Sequence, residues 1–345
     1  MRLAPPEFCL AAGLIAVVLL LIDTVWQPAA AAQAWLAAWL FWIGLAVGAL
    51  FLGLAHGLIG GRWGVALRPV LLDMIGALPL LALFLVPVLV GAHAIYPWAH
   101  GGEQGWLNFP FFAARAVIYV AIWNAIALLV RRESRVDGAL PPALVWPCLI
   151  ILFLTASLAA LDWMMTLEPH WTSTIYGMEV TAGWALAGLA AAILLSLWRG
   201  ATGDGAVLDA LARLMLALVL LWTYLSTVQL IVIWESDLVG EIPWYLRRSA
   251  GGWLTVGILF IVLQFAVPFL LLLWRPVRRS PTAMAIVAAA ILTAHLLETW
   301  WLTMPDFGRP FGWQAPIAVI AIGGCTLFVL GRDIRPLARS SHERS

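Results

Sequence analysis

The segment from Leu161 to Val180, LDWMMTLEPHWTSTIYGMEV, decides how this chain is folded. It separates two long apolar runs, yet it contains four ionisable side chains: Asp162, Glu168, His170 and Glu179. Where apolar runs cross a membrane, ionisable groups at their boundary are costly and usually serve function. We therefore interpret these four residues as candidates for chemistry at one turn between two spans.

The dipeptide Glu168–Pro169 predicts a break in the chain within this segment. Proline disfavours the α conformation for the residue before it, so Glu168 is expected to leave the helix. Hydroxyl side chains follow, any of which can cap the next helix: Thr172, Ser173 and Thr174. The new helix then carries Glu179 about a turn and a half inside its start.

The composition places this turn in a membrane protein. Hydrophobic residues make up 63% of the chain and charged residues 11%, with a mean hydropathy of +0.97. An ordinary soluble domain carries about 25% charged residues. Apolar runs of about 18 residues or more recur along the chain, and each can cross the ~30 Å hydrocarbon core of a bilayer. We therefore predict an all-α polytopic membrane protein.

The apolar runs predict about ten transmembrane helices in a single domain, 1–331. The predicted spans cover about residues 8–26, 34–58, 69–91, 110–130, 142–162, 174–198, 206–234, 252–274, 283–303 and 314–331. The polar tail at 332–345 is predicted to be disordered and cytoplasmic. For the first span a cleavable signal peptide is the alternative, since small residues follow it from Ala29 to Ala34.

The arginine positions predict the orientation of the chain. All 19 basic residues are arginine, and 15 of them lie at one set of helix ends or in the tail. Because basic residues concentrate on the cytoplasmic side, we predict that both termini are cytoplasmic. The four exceptions are Arg115, Arg247, Arg248 and Arg309. No stretch forms a basic face, so nucleic acid is not an expected partner.

The opposite, outer helix ends are rich in acidic residues and tryptophan. Tryptophan anchors at the membrane interface explain part of this pattern. Acidic residues contribute little to topology, so their concentration on the outer side needs another cause. A docking face for an extramembrane partner is one explanation.

Two ionisable residues in the ninth predicted span are candidates for proton transfer. His295 and Glu298 are three residues apart, so they share one helix face and can form a hydrogen bond. Such a pair can accept protons from a quinol or relay them through a helix bundle. The alternative is a purely structural contact between helices, of the kind that polar residues provide in membranes.

A second pair, His56 and Asp73, lies toward the arginine-rich end and is the candidate proton entrance. Ordinary structural roles are the alternative for both residues. His56 can be a satisfied interfacial histidine, and Asp73 can form an ion pair with Arg62 or Arg68.

The sequence shows no ligand set for a redox centre. His56 and His295 are expected at depths that differ by about 15 Å, which is too far apart for one haem iron. The cysteines lie inside apolar runs without CxxC or CxxCH spacing: Cys9, Cys148 and Cys325. We therefore expect no haem, iron–sulfur cluster, metal site or covalently bound cofactor in this chain.

Two blocks of the sequence resemble a known family. The block ALDWMMTLEPHWTSTIYG at 160–177 is similar to the signature of the second NrfD-like membrane subunit of alternative complex III, the bacterial quinol:cytochrome c oxidoreductase. The block YLSTVQLIVIWESDLVGEIPWYLRRSAGGW at 224–253 is similar to the family's stretch after its seventh span. Weaker similarity is present in AHGLIGGRWGVALR at 55–68 and IYPWAH at 95–100.

The resemblance implies two four-helix bundles with flanking helices, in the cytoplasmic membrane of a bacterium. It also implies a quinol or quinone site toward the periplasm and no redox centre in the chain itself. The implied partners are a sister NrfD-like subunit, a periplasmic iron–sulfur protein and cytochromes c, with a terminal oxidase as a further neighbour. The matching positions are Asp162, Glu168, His170, Gln229, Glu241, Trp244 and Tyr245.

The working hypothesis is a membrane subunit of a quinol oxidoreductase that contributes quinol binding, proton transfer or scaffolding. The predicted catalytic residues are Asp162, Glu168, His170, Glu179, His295 and Glu298. The predicted quinone-site or docking residues are Trp163, Trp171, Gln229, Glu235, Glu241, Trp244 and Tyr245. Two alternatives stay open: a secondary transporter with a midplane site, and a purely structural or assembly subunit.

Overall fold

A computed structural model of the chain describes residues 5–100, 105–136, 140–200, 204–236, 239–308 and 312–332. Every regular element in these ranges is helical. Ten helical segments within them are long and apolar enough to cross a membrane. The prediction of an all-α polytopic membrane protein is therefore confirmed. Apart from Arg332, the tail that we predict to be disordered lies outside the described residues.

The chain forms sixteen α-helices in the described ranges. They are α1 Pro6–Trp26, α2 Pro28–Ile59, α3 Arg62–Gly76, α4 Leu78–Leu83, α5 Leu85–Val90, α6 Ala92–Ile95, α7 Phe109–Val136, α8 Pro142–Trp163, α9 Tyr176–Trp198, α10 Gly205–Ser236, α11 Ile242–Ser249, α12 Trp253–Ile261, α13 Val267–Leu273, α14 Arg275–Arg279, α15 Pro281–Thr303 and α16 Gln314–Arg332. Helices α3 to α5 together form the third span, and a π-helical segment, Val262–Ala266, joins α12 to α13 in the eighth.

Helices α2 and α9 form the centre of the protein. Both are buried along most of their length and pack against each other, while α8 and α15 contact both of them. Helices α1 and α16 pack together beside α2. The two central helices cross closely at Gly48 and Gly188, because a Cβ atom on Gly48 would lie 1.9 Å from the Trp184 carbonyl oxygen. The predicted bundle arrangement and the cytoplasmic termini stay predictions.

The third span is broken into short helices at its prolines. Pro79 and Pro87 lack an N–H group and interrupt the helical hydrogen bonds. Tryptophan side chains of α2 supply donors near the breaks: Trp39 Nε1 donates to the Leu81 carbonyl at 2.8 Å, and Trp35 Nε1 to the Phe84 carbonyl at 3.0 Å. A break within the membrane is tolerated because neighbouring helices satisfy the freed backbone groups.

The turn after α8 has the predicted break, but its helix cap differs from the prediction. Glu168 has φ −121° and ψ 89°, outside the α region, as the following proline requires. Helix α9 is preceded by Ile175, and no side chain caps it. The predicted hydroxyl cap is therefore wrong. One of the three hydroxyls, that of Ser173, instead donates to Gln229 Oε1 at 2.9 Å on α10.

Ion pairs join the helices at the arginine-rich end. Arg199 donates to Asp73 at 2.6 Å and so joins α9 to α3, whereas Arg278 donates to Asp209 at 2.7 Å and joins α14 to α10. Arg62 pairs with Asp204 at 2.6 Å. Asp73 is thus in an ion pair, the predicted alternative role, and the partner seen here, Arg199 on the neighbouring α9, was not predicted.

The close α2–α9 crossing predicts a strong effect of a small substitution. Gly48→Ala is expected to destabilise the protein by about 1–3 kcal/mol, because the new methyl group overlaps the backbone of α9. Thermal unfolding in detergent measures this change. Gly252→Ala is the matched control, since a Cβ atom there meets nothing within 4 Å. Equal unfolding midpoints for the two variants would contradict the crossing.

Candidate functional site

Glu298 lies at the centre of a polar cluster between α9, α10 and α15. Trp222 Nε1 donates to Glu298 Oε1 at 2.7 Å, and Gln264 Nε2 donates to Oε2 at 3.0 Å. His295 Nδ1 lies 3.1 Å from the same Oε2, so the predicted hydrogen bond between His295 and Glu298 is confirmed. All four side chains are buried. The sequence analysis missed Trp222 and Gln264.

A local change of helix type brings Gln264 to this carboxylate. Gln264 is the middle residue of the π segment Val262–Ala266, and it is 1% exposed. One-turn π segments inside α-helices are often found at functional sites. The wider turn carries an amide side chain into the bundle, where it donates to Glu298. The hydrophobic sequence around Gln264 gives no local signal for this geometry.

Glu179 lies next to this group on α9. Ser226 Oγ donates to Glu179 Oε1 at 2.6 Å. Gly183 is one turn further along α9, and a Cβ atom there would lie 3.5 Å from Glu298 Oε2. The Glu298 carboxylate therefore lies beside α9 about one helical turn from the position that carries Glu179. We call Glu179, Trp222, Ser226, Gln264, His295 and Glu298 the buried carboxylate cluster.

Several polar atoms of the buried carboxylate cluster make no hydrogen bond to any described residue. They are Glu179 Oε2, Gln264 Oε1 and His295 Nε2. A buried polar atom without a partner costs about 1–3 kcal/mol. His295 and Glu298 also line a cavity of about 10 Å³, which by its size accommodates about one water molecule. The cluster therefore has spare capacity to accept and donate protons.

A second set of polar contacts continues toward the outer helix ends. Gln229 accepts the Ser173 hydroxyl, and the Tyr245 side chain on α11 lies close to it. Burial, followed by the negative charge of Glu179, raises the pKa of Tyr245 above its ordinary value. Tyr245 therefore stays a neutral phenol that can donate a hydrogen bond. The structure thus brings together Gln229, Tyr245 and Glu179, which we predict as site residues.

Asp162 is separated from the other residues of the predicted turn. It is fully buried and accepts from Arg115 Nε at 2.7 Å and Nη2 at 2.9 Å, from Trp106 Nε1 at 2.9 Å and from Tyr119 Oη at 3.0 Å. The Arg115 guanidinium also stacks 4.1 Å from the centre of the Trp106 ring. The four ionisable residues of the opening segment therefore do not form one site, because α8 ends before the turn and directs Asp162 toward α7.

Arg248 makes a similar contact in the second half of the chain. It donates to Asp306 Oδ1 at 3.0 Å and Oδ2 at 2.5 Å, and its guanidinium lies 3.6 Å from the centre of the Trp244 ring. The described exceptions to the arginine pattern are thus all ion-paired, since Arg247 contacts Glu168 and Asp306. Arg309 lies outside the described residues. The sequence signal for these pairs was the position of the arginines at the outer helix ends, where basic residues are uncommon.

The remaining outer residues form a partly exposed surface, which we call the rim. It consists of Glu168, His170, Trp171, Glu241, Trp244 and Arg247. Trp171 and Trp244 stack with ring centres 4.4 Å apart and planes 11° apart. Glu168 is paired with Arg247, Glu241 is half-buried before α11, and His170 is exposed. The rim holds α11 against the turn that follows α8.

Two further predicted residues of the outer side lie elsewhere. Glu235 is exposed near the end of α10. Trp163 is completely buried, with its ring centre 4.7 Å from that of Trp39 and 5.5 Å from that of Trp123. It is a core residue between α2, α7 and α8. This position does not bring it to the rim.

The residues predicted as a proton entrance are held by different helices. His56 is half-buried, with Nε2 3.1 Å from the Gly61 carbonyl oxygen, and its ring contacts the edge of Trp63. Asp73 is paired with Arg199. The two side chains have separate partners and do not form one polar group. Within the described ranges, no three His, Cys, Asp or Glu side chains are grouped so as to hold a metal ion.

The buried Arg115–Asp162 pair predicts a large loss of stability when it is broken. Arg115→Gln leaves the Asp162 carboxylate buried without its cation, and we expect a loss of about 3–5 kcal/mol. Chemical or thermal unfolding in detergent measures it. Arg213→Gln is the control, because its side chain is 71% exposed and the expected change is within about 0.5 kcal/mol. Similar losses in both variants would contradict a structural role for Arg115.

Comparison with known proteins adds no relative to this description. Neither the protein-family models nor the curated proteins give a match to the chain.

Proposed function

We propose that this chain is an integral membrane subunit of a quinol:cytochrome c oxidoreductase similar to alternative complex III. In this proposal the protein lies in the cytoplasmic membrane of a bacterium. The buried carboxylate cluster accepts and relays protons that quinol oxidation releases. The single observation that carries this role is the hydrogen-bonded pair of His295 and Glu298, which is buried and retains unpartnered polar atoms around it.

The geometry of the buried carboxylate cluster supports proton transfer. The Glu298 carboxylate lies beside α9 one turn from the position of Glu179, and His295 contacts Glu298. In this proposal a proton passes between the two carboxyl groups through water or a rotated side chain. Tyr245 and Gln229 extend the polar contacts toward the outer side. Protons taken up in the bundle would thereby leave near the rim.

The electrons in this proposal leave through another protein. The resemblance implies a periplasmic iron–sulfur protein and cytochromes c as partners, together with a sister NrfD-like subunit. The rim supports such contacts, because it presents the exposed His170 and the partly exposed Glu168–Arg247 pair, while its stacked tryptophans are buried beneath them. Arginine is enriched among the residues that anchor protein interfaces.

A scaffolding role is the second candidate, and Asp162 favours it. Both oxygens of this carboxylate accept two hydrogen bonds each, from Arg115, Trp106 and Tyr119. A carboxylate held by a bidentate arginine is typical of a structural contact. The signature block at 160–177 would in that case preserve the shape of the outer surface rather than a reactive group.

Glu298→Gln tests the proton-transfer role. The substitution keeps the size of the side chain but removes its ability to ionise. We expect quinol oxidation by the purified complex to fall by about 10²–10⁴-fold, while the subunits still copurify. Glu7→Gln, at an exposed position in the first turn of α1, is the control and should leave turnover unchanged. Unchanged turnover in Glu298→Gln with an intact complex would favour the scaffolding role.

Arg247→Glu tests the rim as a docking surface. The reversed charge repels Glu168 and changes the outer surface, so we expect the extramembrane partners to be lost from the complex on native gels. The membrane chain itself should stay folded, because Arg247 is 41% exposed and exposed ion pairs contribute little to stability. Arg213→Glu reverses an exposed charge at the opposite end, where the side chain is 71% exposed, and serves as control. Loss of partners in both variants would contradict specific docking at the rim.

A further inference from the structure

The largest cavity described in the structure lies far from the rim. It is a groove of about 750 Å³ between α2, α3, α9, α15 and α16, and its lining is mostly apolar. Residues that represent each wall are Phe41, Met74, Leu194, Ala285, Leu292 and Leu330. It opens at the arginine-rich helix ends, because Trp198 and Pro281 line it where α9 ends and α15 begins.

The length of the groove matches one leaflet of a bilayer. Along α15 its lining runs from Pro281 to Leu292, which is about 16 Å at 1.5 Å per residue. Half of a ~30 Å hydrocarbon core is about 15 Å. The groove therefore accommodates an extended hydrocarbon chain that begins at the membrane surface and ends near the bilayer centre.

A partly satisfied arginine directly follows the last α9 residue that lines the groove. Arg199 and Asp73 form an ion pair, and each directly neighbours a residue of the lining, Trp198 and Met74. Arg199 Nη1 donates to Asp73, whereas Nε and Nη2 are buried and make no hydrogen bond to any described residue. These two N–H groups have the fork geometry that binds a phosphate through two parallel hydrogen bonds.

The charge around the opening favours an anionic headgroup. Arg275 and Arg279 are exposed just before α15 begins, and Trp198 is 37% exposed at the same level. Basic pockets between transmembrane helices bind the headgroups of anionic lipids. The amine of a zwitterionic lipid would instead meet the positive charge of these arginines.

We propose that this groove is a binding site for an anionic glycerophospholipid, with one acyl chain along the apolar walls and the phosphate at Arg199. The site is separate from the buried carboxylate cluster and does not depend on the function proposed above. The lipid fills the space between α9 and the α15–α16 pair and satisfies the free donors of Arg199. It thereby joins the centre of the protein to its flanking helices.

Lipid retention by the full-length chain tests this proposal. The chain is purified in mild detergent, washed, and analysed by native mass spectrometry with added phosphatidylglycerol or phosphatidylethanolamine. We expect selective retention of phosphatidylglycerol, and a decrease of about fivefold in Arg199→Gln, the factor that corresponds to the ~1 kcal/mol of one basic residue near the surface. Arg213→Gln removes an exposed charge at the same end but away from the groove lining, and it should retain the lipid.

A second pair of variants tests the groove without changing a charge. Ala285→Trp fills the groove at a half-buried position and should abolish retention, whereas Ala289→Trp places the same side chain on an exposed position of α15 outside the lining. Equal retention of the two lipids would overturn the proposal. Equal losses in Arg199→Gln and Arg213→Gln, or retention that survives Ala285→Trp, would overturn it as well. So would the finding that an isoprenoid quinone occupies the groove.

Discussion

The structure depends on one constraint: a polar group that enters the hydrocarbon core must find its partner within the protein. The broken third span shows how the backbone meets it, because Trp35 and Trp39 donate to carbonyl groups near the proline breaks. The outer arginines show how charged side chains meet it. Arg115 and Arg248 are each held by two oxygens of one aspartate and by the face of a tryptophan.

The same constraint is met differently by two sets of buried carboxylates, to which we propose a structural and a proton-transfer role. Asp162 and Asp306 are each fixed by a guanidinium, so neither is free to exchange protons without loss of a buried ion pair. Glu179 and Glu298 are held by neutral donors instead, namely Ser226, Trp222 and Gln264. A carboxyl group in such surroundings can gain or lose a proton while its hydrogen bonds persist. The choice of partner therefore separates the two roles better than burial does.

The sequence was sufficient for features that depend on neighbouring residues. The ten spans follow from local hydropathy, the break at Glu168 follows from Pro169, and the contact of His295 with Glu298 follows from helical spacing. Contacts between segments that are distant in the chain could not be predicted from local sequence. Arg199 and Asp73 are 126 residues apart, and nothing in either segment specifies the other.

The opening segment shows most clearly where sequence reasoning stops. Four ionisable residues within eighteen positions predict one site, but the turn that Pro169 imposes sends them to different neighbours. Asp162 faces α7, Glu168 faces α11 and Glu179 faces α10. Only the three-dimensional path of the chain decides this division. The π segment that carries Gln264 to Glu298 was not predicted either, because its sequence is as apolar as that of a regular span.

The two bidentate arginine pairs occupy corresponding places in the chain. Arg115 begins the fourth span and pairs across to the end of the fifth, and Arg248 precedes the eighth and pairs across to the end of the ninth. Each pair ties two successive spans together at the outer side. Three residues of the buried carboxylate cluster, Gln264, His295 and Glu298, lie on the eighth and ninth spans, which the second pair joins. The cluster retains unpartnered buried atoms where the surrounding structure holds its side chains in place. The Arg248–Asp306 pair is part of that structure, because it fixes two of the spans that carry the cluster.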